Sequence, residues 1–292
     1  MRRLALALAL AACGGDPTAE GDHHHYVVSS IRMPQSAAEA PMLALPLQDG
    51  GGRNNKFGAA LAGLPVGPIS NAAIQHGDLS LLLDLQARDL TDASAAGVTI
   101  RFGENPNPTP CTAPDSCGHH LNGTGTFDIA FGGTDETLFG NVFGGTFSSE
   151  PNITSIQLDF QRGQPLDIDL LTARVELTGL SDTTIQKGII AGVISRDFII
   201  GQLLLEMELG FDDVISADCQ IGPQAACVCN PGSLGEQIRF AFGPEPSGVC
   251  SLSEELFMAH PAVQALMQSD VSVDGVAGVT FGMGIAAVAA EF

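Results

Sequence analysis

Between Leu166 and Leu180 apolar residues fall on alternate positions, first as Leu166, Ile168 and Leu170, then as Ala173, Val175 and Leu177. A segment patterned this way has one buried and one wet face, so it can only satisfy itself as a strand in a sheet. Strand-like runs also occur at Tyr26–Met33, Asp78–Leu85, Val98–Phe102 and Ile153–Phe160, and Gly275–Phe292 reads as a closing strand or hairpin. The sequence Phe131-Gly-Gly-Thr134 returns as Phe143-Gly-Gly-Thr146, a spacing that predicts strand–turn–strand with the glycines turning and the phenylalanines packing. Composition agrees with a β fold: 35 glycines, no tryptophan, and 45% hydrophobic residues, enough for a packed core.

Helical periodicity is confined to a few places. Over about 196–210, Ser195 is placed to cap, and Ile199, Ile200, Leu203, Leu204, Met207 and Phe211 recur at three- and four-residue steps. A second helix is expected over about 253–267, opened by the box Ser251-Leu-Ser-Glu254 and kinked or split by Pro261. A short helix is expected around Phe57–Leu64. The expected fold is therefore mainly β: one domain over 26–292, a β-sandwich or barrel-like sheet with one or two docked helices. No composition break marks a linker inside that span.

Seven cysteines constrain the compartment. Setting Cys13 aside leaves Cys111, Cys117, Cys219, Cys227, Cys229 and Cys250, an even set that favours disulfides in an oxidising compartment. Cys111 and Cys117 bracket a turn-rich loop and pair with each other. Cys227 and Cys229 are too close to bond without strain, so each pairs with Cys219 or Cys250, and the order stays open. Zinc at Cys117, His119 and His120 is the competing reading.

The first residues carry an address. Arg2 and Arg3 precede an apolar run, Leu4–Leu10, far short of the ~20 residues that a membrane-spanning helix needs. Leu10-Ala11-Ala12-Cys13 follows. This resembles the lipobox of bacterial lipoproteins, and the resemblance implies a signal peptide over 1–12 and acylation of Cys13, with palmitate among the attached chains. Gly14, neutral and next to the cysteine, implies a lipid-anchored place in the bacterial envelope, at the outer membrane, on its periplasmic face or the cell surface. Residues 13–25, small and polar and including His23–His25, are expected to be a flexible tether. A histidine triplet there offers a transition metal ligands, but a mobile site has first to be ordered.

Without residues 1–12 the chain has 10 basic and 33 acidic residues, a formal charge of −23. That charge opposes nucleic acid and anionic head groups and favours divalent cations. Asp270-Val-Ser-Val-Asp274-Gly275 matches the opening of a calcium loop, with Asp270, Ser272 and Asp274 as candidate ligands, but Phe281 stands where the bidentate glutamate belongs. Pro46–Gly58 and Asp270–Ala286 together resemble two motifs of uncharacterised myxobacterial-type lipoproteins. Asn54, Asn55, Phe57 and Gly58 are kept in the first, and Asp270, Asp274, Gly275, Gly282 and Gly284 in the second. Pro46, Gln48 and Gly50 replace carboxylates, so the expectation is no cofactor, with calcium a weak candidate.

No GxSxG, HExxH or GxxxxGK[ST] motif is present. His76, His119, His120 and His260 are the histidines of the body for catalysis. The residues favour a non-enzymatic envelope lipoprotein with an interaction or structural role toward a protein or envelope partner. A carrier of a lipid or other apolar ligand comes second, to be recognised by an empty apolar cavity, and a hydrolase with no recognisable motif third.

Overall fold

The computed structural model describes residues 18–47, 51–113, 116–160, 163–221, 227–243 and 250–292. The expected signal peptide and Cys13 lie outside them. The strands are β1 (Asp22–Arg32), β2 (Leu81–Ala87), β3 (Asp92–Asn107), β4 (Gly125–Ile129), β5 (Thr137–Phe143), β6 (Thr146–Ser149), β7 (Asn152–Asp159), β8 (Pro165–Leu180), β9 (Thr184–Ser195), β10 (Cys219–Ile221), β11 (Cys227–Cys229), β12 (Val271–Val273) and β13 (Val276–Glu291). Eight of them close into an antiparallel barrel in the order β1, β2, β3, β5, β6, β8, β9, β13 and back to β1. The sheet is thus a barrel, not a sandwich.

An eight-stranded barrel has an interior just wide enough for side chains to fill. Tyr26, Leu83, Leu85, Val98, Ile100, Leu138, Phe147, Val175, Leu177 and Ile190 are fully buried or nearly so and belong to one continuous core. Outward positions such as Ser30, Arg32, Asp167, Asp169 and Lys187 are exposed. Apolar inside and polar outside is the reverse of a membrane-spanning barrel. Among the described residues, no helix is long and apolar enough to cross a membrane.

The alternation seen in the sequence explains how β8 serves two partners. Its first phase pairs with β7, as Ile168 opposite Ile156, and its second with β6 and β9, as Leu177 opposite Phe147 and Gly188. The phases meet at Thr172, whose φ of 45° is a left-handed conformation, and the ladder to β9 shifts register there. One extra residue at such a bulge turns the side-chain pattern over.

Two hairpins rest on primed turns. Gly144–Gly145, with φ of 58° and 74°, joins β5 to β6, and Asp274–Gly275, with φ of 50° and 85°, joins β12 to β13. Positive φ at both central residues is what a type I′ turn requires. The Phe-Gly-Gly-Thr repeat therefore turns as expected at its second copy. Its phenylalanines do not pack: Phe131 and Phe143 are exposed, because Phe143 ends a strand at the turn and Phe131 sits in a loop. Phe147, just beyond the turn, supplies the buried ring.

The helices are α1 (Lys56–Ala60), α2 (Val66–His76), α3 (Arg196–Phe198), α4 (Leu204–Ala217), α5 (Leu234–Phe242), α6 (Glu254–Ala259) and α7 (Pro261–Leu266). Ser195 caps α3 by accepting from the Phe198 amide at 3.2 Å. A π-helical segment, Ile199–Leu203, continues into α4, so the helix expected over 196–210 runs to Ala217, with Ile200 left outside the buried face. The second expected helix is split at His260 before Pro261, and its cap is Ser253 rather than Ser251. Phe160 meets Phe211, which meets Phe242, which stacks on Phe257, an aromatic chain joining the helices to the barrel core.

The phenol of Tyr26, the chain's one tyrosine, donates to the Ser181 carbonyl at 2.8 Å and ties β1 to the β8–β9 turn. Burial, reinforced by the Asp182 carboxylate, pushes this phenol up to about 12. The group is neutral in the fold and ionises near 10 when unfolded. Its contribution is therefore complete below pH 10 and lost as pH rises toward 12. Tyrosinate absorbance of the native chain should appear only near pH 12, and Tyr26→Phe should cost about 1 kcal/mol of stability.

Candidate functional site

The disulfides form as Cys111–Cys117, Cys219–Cys227 and Cys229–Cys250. The pairing left open by the sequence is thereby given. β10 and β11 hold Cys219, Cys227 and Cys229, and the bond to Cys229 brings Cys250 to the same corner, where its amide also donates to the Cys227 carbonyl at 2.9 Å. With Cys117 oxidised, it has no thiolate for zinc. The other two residues of that reading part company as well. His119 Nε2 stands 3.1 Å from Ser116 Oγ on an exposed loop. His120 is fully buried against the Phe127 ring, and burial pushes its imidazole down, toward the neutral form. The histidine that does come near the first disulfide is His76, alone beside two joined sulfurs.

The calcium-like segment is a hairpin. Asp270 precedes β12, Ser272 lies in its middle and Asp274 begins the turn. Successive same-face residues on a strand are roughly 7 Å apart, so these three oxygens are strung along a line instead of facing one ion. Asp270 instead ties its own hairpin together. Its carboxylate accepts from the Thr280 amide at 2.9 Å and from the Thr280 hydroxyl at 2.6 Å. Thr280 Oγ1 in turn accepts from the Lys56 amide at 2.9 Å.

That network joins the two segments whose motifs the sequence singled out. Asn55 caps α1 by accepting from the Gly58 amide at 2.8 Å, and its Nδ2 donates to the Gly282 carbonyl at 2.8 Å. Phe57 packs on Phe281 with centroids 5.4 Å apart. A Cβ at Gly282 would overlap the Leu43 carbonyl, which explains a glycine at that position. The kept residues Asn55, Phe57, Asp270 and Gly282 thus build a junction between α1 and the barrel.

A third cluster is one that the sequence splits between a tether and a strand. β1 begins at Asp22, so His23–His25 stand on a paired strand, where the sequence places them on a tether. His23 and His25 face one side, and Asp84 of β2 lies directly opposite His25. His23 Nδ1 is 2.7 Å, and His25 Nε2 3.7 Å, from Asp84 Oδ1. His25 also stacks on Phe292 at 4.3 Å. His24 points the other way and reaches Asp182 at 3.4 Å. Asp84 escapes sequence reasoning because strand register cannot be read from one sequence; the only hint is a carboxylate inside the run Leu81–Leu85.

His260, the remaining candidate, uses both ring nitrogens structurally: Nδ1 accepts from the Ala262 amide at 3.3 Å and Nε2 faces the Ala241 carbonyl at 3.1 Å. Burial pushes its imidazole down, the neutral form these contacts need. A groove of about 340 Å³ opens on the barrel's outer face between Arg32, Met42, Leu43, Glu176 and Lys187. It is a surface feature, outside the packed lumen.

Asp270→Ala should lower stability by about 1–2 kcal/mol through the two lost hydrogen bonds to Thr280. The loss, measured by thermal melting, should be the same in excess calcium and in EDTA; a calcium-dependent shift removed by the substitution would restore the loop reading. Set against known families, curated proteins and solved structures, the chain has no match in any of the three.

Proposed function

We propose that the chain is an exported bacterial lipoprotein, anchored in the envelope by acylated Cys13, whose barrel serves as a non-enzymatic interaction or structural module. The observation that carries this reading is the filled interior of a closed barrel with a polar outer wall. Such a body offers its surroundings a surface, and among the described residues side chains fill its interior, which weighs against a carrier working through it. Three disulfides fit an oxidising compartment. The lipobox resemblance of Leu10–Cys13 supplies the anchor, and two or three acyl chains at ~0.8 kcal/mol per buried methylene hold stably.

Three of the four histidines named as catalytic candidates fit a non-enzymatic role. His120 is buried against the Phe127 ring, His260 is occupied as a cap, and the Ser116–His119 pair stands at the exposed surface.

Growth with a fatty-acid probe tests the anchor. The wild-type chain should be labelled and recovered with membranes, and Cys13→Ser should be unlabelled and released. Equal labelling of the two would overturn the lipoprotein reading.

A further inference from the structure

We propose that His23, His25 and Asp84 form a binding site for one divalent transition-metal ion of the zinc class, on the outer wall of the barrel. The three side chains come from two hydrogen-bonded strands. Positions 23 and 25 project on one face because side chains alternate along a strand, and position 84 faces them across the ladder. Their ligand atoms all lie within 4.8 Å of one another.

Zinc bonds to imidazole nitrogen and carboxylate oxygen are ~2.0–2.2 Å, so ligands around a tetrahedral ion stand roughly 3.3 Å apart. The present separations from Asp84 Oδ1, 2.7 and 3.7 Å, bracket that value. Two neutral imidazoles and one carboxylate suit zinc, copper and nickel better than calcium or magnesium, which take all-oxygen shells.

Two further features fit an ion. Asp84 is only 15% exposed and His23 is 53% exposed, so the carboxylate is partly withdrawn from water while the approach stays open. Stacking on Phe292 restrains the His25 ring, so its orientation is largely set before an ion arrives. With three protein ligands, a fourth position remains for water or for a group from a partner. The chain's strong negative charge draws cations to its surface.

The test is calorimetric titration of EDTA-treated, oxidised full-length chain with zinc. One zinc per chain is expected. His23→Ala, His25→Ala and Asp84→Asn should each weaken binding by at least about tenfold. Asp84→Asn preserves shape, and retention of the high tyrosine titration confirms that each variant is folded. His24→Ala is the deciding control, because His24 faces away: its affinity should match the wild type. Absence of one-to-one binding, undiminished binding in His25→Ala, or a loss in His24→Ala equal to that in His25→Ala would overturn the site. The last result would mean that the triplet chelates as an unstructured run.

Discussion

The ladder between β1 and β13 turns a curled sheet into a barrel, and most of the described features depend on it. It joins strands near opposite ends of the chain, with Tyr26 opposite Ala289, Val28 opposite Ala287 and Ile31 opposite Ile285. Loop-closure entropy grows by only about 0.6 kcal/mol per doubling of length. Each aliphatic or aromatic side chain that closure buries contributes about 1.5–3 kcal/mol. Tyr26, Val28, Ile31, Ile285 and Ala287 are all buried at or beside this seam, so burial outweighs the cost of the long connection. Closure also removes two edges that would otherwise offer unpaired backbone groups to other chains.

What hangs from the seam explains the layout of the outer wall. β13 carries the hairpin with β12 and the contacts of Thr280, Phe281 and Gly282 to α1. Its last residues pair in parallel with β4, which also pairs with β3. β4 thereby straps over the outer face of β1 and β2, where Phe127 and Ala290 bury Val27 and Leu82 in a small second core. The His23–His25–Asp84 cluster lies beside that strap, with Phe292 as the shared wall. The cluster stands on the outer face of the wall, away from the packed interior.

Sequence patterning reveals the strands that alternate cleanly and the helix that Ser195 opens, because period and capping are local properties. It misses β9, although β9 lies between β8 and β13 at the centre of the barrel wall. Gly188 and Gly192 interrupt its apolar pattern, and both are glycines for lack of room: a Cβ at Gly188 would press on Leu177 and Ile285, and one at Gly192 on Leu170. It also misses α2 and α5, which are short and depend on docking more than on their own periodicity. Barrel as opposed to sandwich is undecidable from pattern because closure is set by which distant strands pair. For the same reason His23 and His25 cannot be matched with Asp84, 59 residues beyond His25. The calcium-like spelling at Asp270–Gly275 is legible as a pattern and misleading as a site, since an Asp-Gly turn in a hairpin shares its letters.

Native-state hydrogen exchange across the seam is the most direct test of barrel closure. The amides of β1 and β13 that pair with each other, from Tyr26 to Ile31 and from Ile285 to Ala289, should exchange only when the whole barrel unfolds, with the same protection as those between β8 and β9. If the seam amides exchange by local opening while β8 and β9 stay protected, β1 and β13 are edges and the barrel is not closed.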